Sequence, residues 1–140
     1  MSEIVYEFSG SVPADAVVEL YRAGGWWRED SSWLDAIPRM IAGSFCFLTA
    51  RETGGRIVGM GRVLSDGASD AYIQDVVVLD AFRDRGIGTE IVRRLTERCV
   101  ESRICWIGLV AEPGTQPFYE KLGYRAVPGH QLMLHGRHEA

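Results

Sequence analysis

The sequence predicts a mixed α/β domain, with a central, mostly antiparallel sheet of six to seven strands flanked by about four helices. Two observations predict it. Short apolar or alternating runs bounded by Gly, Asp and Pro turns recur along the chain, and segments with helical apolar spacing lie between them. In addition, one junction between an apolar run and a periodic segment holds the tight turn Arg83-Asp84-Arg85-Gly86-Ile87-Gly88, which makes a strand, glycine turn and helix in succession. At 140 residues the chain reads as one domain, 1–140, long enough to bury a core without staples.

Residues 4–8 alternate as a first strand does. Pro13 opens a helix to about Arg22, with Ala16, Val17, Leu20 and Tyr21 on one stripe, and Gly24-Gly25 ends it. A second helix is expected over 32–42, with Pro38 disturbing or splitting its middle. Residues 44–50 read as a strand, Thr53-Gly54-Gly55 as a turn and 56–64 as the next strand. After the Asp66-Gly67 turn, 71–79 forms a strand that enters the glycine turn and a helix from about Gly88 to Arg103. The near-continuous apolar run at 103–110 suits a strand inside a sheet, and Glu112-Pro113-Gly114 breaks it. Thr115 can cap a short helix through Leu122, closed by Gly123. A last strand or hairpin is expected over 124–134, interrupted at Pro128-Gly129, followed by a polar, frayed tail at 135–140. The order is β, α, α, an antiparallel three-stranded meander, then α, β, α, β.

Bulk composition excludes several functions. Hydrophobic residues make up 46% and charged residues 24%, as in ordinary soluble proteins, and the net charge of −4 gives nucleic acid no general attraction. Arg83, Arg85, Arg93 and Arg94 make a short basic patch without interleaved aromatics, so no nucleic-acid partner is expected. Cys46, Cys99 and Cys105 fit no metal spacing and are expected as buried free thiols. Histidines 130, 135 and 138 have no partner at ligand spacing, so no metal is expected. No secretory leader or long apolar run is visible, which points to a cytoplasmic protein with no membrane partner.

The glycine turn carries the chemistry. A strand, a glycine turn and a helix start present several backbone N–H groups to one phosphate cluster, and Gly86 and Gly88 let it approach closely. The Arg-x-x-Gly-x-Gly form is not the Gly-x-Gly-x-x-Gly of a dinucleotide fold, and no Gly-Lys-Ser/Thr of a P-loop follows. The residues alone therefore predict a phosphate-bearing ligand other than NAD or ATP.

Val76-Val77-Val78 leading into residues 83–88, together with Phe118-Tyr119-Glu120-Lys121-Leu122-Gly123-Tyr124 and the element order, resembles the GCN5-related N-acetyltransferase (GNAT) superfamily over essentially the whole chain. Ser65-Asp66-Gly67, Ala71 to Val78 and Gly25-Trp26 further resemble small bacterial and plastid-type members, some of them arylalkylamine (serotonin-type) acetyltransferases. The resemblance implies the GNAT fold and acetyl-CoA as co-substrate. It places the pyrophosphate on Arg83, Asp84, Arg85, Gly86, Ile87, Gly88 and Thr89, and the pantetheine arm along the main chain of Val76, Val77 and Val78, provided that the fourth and fifth strands splay. Val77 or Val78 N–H would stabilise the oxyanion, and Tyr119 would protonate the departing thiolate. The other reading of Tyr119 is an aromatic packed beside Phe118.

Direct transfer to an amine also needs a group that takes or orients the amine proton. Asp75 is the best candidate, because a bare carboxylate in an apolar strand is costly. Its alternative is a structural acceptor for a neighbouring helix or loop. Strand alternation sends Asp75 and Gln74 to opposite faces unless a bulge intervenes. Trp26, Trp27 and Trp33, with Glu29 and Tyr72, are candidates to cover or bind the acceptor, and Asp30 is a rival carboxylate; one or two of the tryptophans could equally fill the core or a dimer contact. The expected function is direct acetyl transfer to a small primary amine. A protein N-terminus or lysine is the alternative acceptor, and a non-catalytic acyl-CoA sensor the alternative class. Free sheet edges and exposed aromatics invite a homodimer.

Overall fold

The computed structural model describes residues 3–136. They form two compact units, one up to Leu109 and one from Val110. In the first, a single sheet runs in the order β1 (Ile4–Phe8), β2 (Cys46–Glu52), β3 (Ile57–Ser65), β4 (Asp70–Val78) and β5 (Trp106–Leu109). The first four strands are antiparallel neighbours and β5 lies parallel to β4. Helices α1 (Ala14–Gly24), α2 (Ser31–Gly43) and α3 (Ile87–Glu101) complete this unit, with one short 3-10 turn at Asp80–Phe82. The second unit holds α4 (Gln116–Glu120).

The mixed α/β class is as expected, but the sheet has five strands among the described residues rather than six to seven. The missing element is the one expected over 124–134, which joins no ladder. Pro128 lacks a donor and Gly129 turns at φ 84°, so the run does not stay extended. Its apolar side chains, Val127, Leu132, Met133 and Leu134, are exposed, so no buried face holds it as a strand either. His138 and the end of the tail expected to fray lie outside the described residues, as do Met1 and Ser2.

Local rules explain most boundaries. Pro13 sits at the N-cap of α1, and Gly25 closes that helix at φ 78°, with its N–H donating to Arg22 O and the Trp26 N–H to Tyr21 O. Asp30 caps α2 by accepting from the Ser32 N–H. Contrary to expectation Pro38 does not split α2, whose Ile37 and Ile41 are buried and offset one missing backbone bond. Thr115 does not cap α4 through its side chain; its Oγ1 donates to Glu112 O instead. Cys46 and Cys99 are buried thiols, whereas Cys105 is exposed because it precedes β5 rather than lying within it.

β3 decides which face receives which helix. A Cβ built on Gly59 would meet Ile91 and Ile87, and one on Gly61 would meet Ile91 and Leu95 at 2.8 Å. These two positions therefore face α3, and alternation turns Met60 and Arg62 toward α1 on the other side. Gly61→Ala is expected to cost about 1–3 kcal/mol, because α3 must move off the sheet to admit the methyl. Chemical denaturation of the two proteins measures it.

Candidate active site

β4 is irregular where the chemistry was expected. Met60 pairs with Val77 and Arg62 with Gln74, so Gly61 alone stands opposite Asp75 and Val76. This is a β-bulge, which leaves an extra residue unpaired and re-aims its side chain. Asp75 adopts φ 58°, the left-handed region that Asp and Asn tolerate better than other side chains. The bulge brings Asp75 onto the same face as Gln74 and Arg62, while Val76 stays on the α3 face near Gly61.

On that face Asp75 is held firmly. Arg62 Nε donates to its Oδ2 at 2.6 Å, and the Tyr21 hydroxyl donates to the same oxygen at 2.7 Å. Among the described residues Oδ1 has no hydrogen-bond partner. Tyr21 is buried, and burial first, then the Asp75 carboxylate, raises its pKa well above the usual tyrosine value. It therefore stays a donor across the physiological range.

Asp75 opens into a cavity of about 580 Å³. Trp26, Trp33, Ala36, Ile37 and Met40 supply its apolar wall, and Tyr21, Arg62, Gln74 and Asp75 its polar floor, with Ser32 and Arg39 from α2. Tyr21 packs edge-on against Trp26 and Trp33, with ring centroids 5.9 and 6.5 Å apart. A wider groove of about 790 Å³ lies between α1 and the β1–β3 side of the sheet, where Arg56 pairs with Glu19 and Arg51 with Glu7. None of the residues singled out for chemistry lines it.

The other edge of β4 is open. β5 pairs only with Asp70–Ile73, so residues 74–78 have no strand partner on that side among the described residues. The Leu79 N–H donates to Val58 O, and by alternation the N–H and C=O of Val78 point away from β3. Arg83 Nε donates to Val78 O at 3.1 Å, and its guanidinium pairs with Asp80 at 3.0 Å. Arg83 is thus tied into the turn, whereas Arg85 rests over the Phe82 ring at 4.9 Å with no ion pair among the described residues.

The strand then enters the glycine turn. Asp84 (φ 62°) and Gly86 (φ 78°) are both left-handed, and Gly86 is the N-cap of α3. With no side chain to cap the helix, the N–H groups of Ile87, Gly88 and Thr89 have no intrahelical partner; the first such bond is Glu90 N–H to Gly86 O. Glu90 follows in the first turn, and Arg93 and Arg94 hold its carboxyl down at about 2.

In the second unit Tyr119 lies on α4, its ring packed edge-on against Phe118 at 4.9 Å and against Tyr124 at 6.2 Å. Burial, helped by Tyr124 and Glu112, raises its pKa.

A family model described as "Acetyltransferase (GNAT) family" matches residues 14–124. The chain belongs to the GNAT acetyltransferase family. It is 38% identical over 114 residues to GCN5-related N-acetyltransferase 1, chloroplastic, of Arabidopsis thaliana, covering 81% of this chain and 57% of that one. It is 32% identical over 80 residues to serotonin N-acetyltransferase 2, chloroplastic, of rice, covering 57% of this chain and 40% of that one. The GNAT family protein SP0256 of Streptococcus pneumoniae shares the fold, with a TM-score of 0.81 at 22% identity over 97% of this chain and all of that one. The chain spans about half the length of the curated relatives it matches.

Within this GNAT chain the structure brings Asp75, Gln74 and Trp26 to one cavity. Trp27 does not line it; its ring packs against Tyr21 and Trp33. Glu29 is exposed and pairs with Arg22 at 2.9 Å, and Asp30 serves as the α2 cap. Tyr72 lies on the same sheet face as Gln74 but outside the cavity, its ring 5.1 Å from that of Trp106. Tyr21, Arg39 and Arg62 were not singled out from sequence. Tyr21 read as one residue of an apolar stripe, and nothing local marks Arg62 as the partner of Asp75.

Proposed function

We propose that this GNAT protein is an acetyl-CoA-dependent N-acetyltransferase, working as one domain over 1–140 and acting on the primary amine of a small molecule. One observation carries the reading: a single strand, β4, offers a carboxylate-floored cavity on one face, an unpaired backbone edge beside it, and a glycine-turn helix start at its end. A diphosphate fits the last of these, since three N–H groups have no partner among the described residues, Gly86 occupies a φ only glycine takes at no cost, and a Cβ there would enter open space. A pantetheine arm fits the edge at Val76–Val78, as an added strand would. Bound there, acetyl-CoA supplies an activated thioester.

The protein's residues do the rest. The neutral amine nitrogen attacks the thioester carbonyl carbon, a C–N bond forms and negative charge develops on oxygen, which the outward Val78 N–H stabilises. The C–S bond then breaks. One proton leaves the nitrogen, through Asp75 Oδ1 or a water next to it, and Tyr119 gives one to sulfur. Amine plus acetyl-CoA thus becomes acetamide plus CoA thiol. The tryptophan walls favour an apolar or aromatic acceptor body, consistent with the rice relative named for serotonin acetylation.

The test is thiol release from acetyl-CoA with a panel of small primary amines and basic peptides. Turnover of one small-amine class is expected. Turnover of peptides alone would move the acceptor to protein, and tight acetyl-CoA binding without any turnover would make the chain a sensor.

A further inference from the structure

The charge of the acceptor cavity narrows the acceptor further. Its charged lining residues are Arg39 and Arg62 against Asp75, two cations to one anion, in a chain whose net charge is −4. Asp75 is already neutralised: Arg62 contacts its Oδ2 at 2.6 Å and Tyr21 donates to the same oxygen. The cavity is therefore no Coulombic trap for a plain ammonium.

Arg39 is the charge left over. It lies on α2, is exposed at the cavity, and makes no hydrogen bond or ion pair among the described residues. The acidic groups nearest it in sequence do not neutralise it. Asp35, one turn earlier on α2, forms no ion pair with it; Asp30 is engaged as the cap with Ser32; Glu29 is paired with Arg22. Arg62 adds donor capacity, because among the described residues only its Nε and, weakly, Nη1 (3.4 Å to Ser44 Oγ) have partners.

Resting on the acetyltransferase reading above, we propose that the acceptor is a primary amine that also carries an anionic group, a carboxylate or phosphate, which Arg39 binds while the nitrogen faces Asp75 Oδ1. A guanidinium offers paired donors that match either anion.

The experiment compares matched acceptors with the full chain: a 2-arylethylamine against the corresponding aromatic amino acid, and ethanolamine and an amino sugar each against its phosphate ester. Thiol release should show at least one anionic member preferred about tenfold or more in kcat/KM, mainly through KM. The carboxylate and phosphate pairs show which anion is meant. Arg39→Ala should reduce that preference about tenfold or more, Arg39→Lys should restore part of it, and added salt should weaken it in the parent protein. Equal or better turnover of the plain amines, or a preference that survives R39A, overturns the inference and leaves the acetyltransferase reading standing. No turnover with any member or with peptides, despite acetyl-CoA binding, overturns both.

Discussion

Asp75→Asn is expected to lower kcat/KM for the amine about a hundredfold while acetyl-CoA binding changes less than twofold. The amide keeps the shape of the carboxylate and remains comfortable at φ 58°, so the bulge survives. What it loses is the charge that Arg62 and Tyr21 converge on and the acceptor oxygen facing the amine. Leaving the Arg62 guanidinium, 12% exposed, without its counter-charge should also cost about 2 kcal/mol of stability. Asp75→Ala should cost about 1 kcal/mol more, because a plain Cβ strains at left-handed φ. Urea denaturation of D75N and D75A separates the two contributions, and steady-state kinetics with acetyl-CoA titration separates catalysis from folding. If D75N keeps full turnover and loses only stability, Asp75 is a structural acceptor alone, and the proton must leave the amine through water.

Tyr119→Phe is expected to reduce kcat about a hundredfold, the lower range of what a positioned general acid contributes, with the amine KM nearly constant. The ring contacts with Phe118 and Tyr124 persist in phenylalanine, so thermal stability should change little. The pH dependence gives an independent readout. An acid must be protonated to act, so activity falls as pH rises through its pKa, and burial has moved that of Tyr119 upward. The alkaline limb should accordingly lie above the ordinary tyrosine value of about 10 in the parent protein and vanish in Y119F. A variant with unchanged kcat would hand sulfur protonation to solvent.

The two variants differ in how visible their residues are in sequence. Tyr119 stands in a run of aromatic and glycine residues on a short helix, and the turn at 83–88 is punctuated by Gly86, whose left-handed geometry few other residues accept, and by Gly88. Asp75 sits in an apolar run that reads as a regular strand. Alternation in such a strand would part it from Gln74, and only the two-for-one pairing opposite Gly61 puts them on one face. A bulge of this kind is a property of the β3–β4 register and of α3 packing closely on a residue without a Cβ, neither of which a single strand's pattern encodes.

The sequence by itself determined the class of fold, the element order as far as α4, the glycine turn at the start of α3 and the family to which the chain belongs, because apolar period, caps and glycine dihedrals act within a few residues of chain. Tertiary structure alone decided the rest. Tyr21 and Arg62 reach Asp75 from 54 and 13 residues away. β5 stops pairing after Ile73 and leaves the β4 edge open, and the apolar run at 124–134 finds no ladder. Strand partners, open edges and the charge balance of a cavity are set by which distant side chains share a face, and that information lies in packing rather than in local pattern.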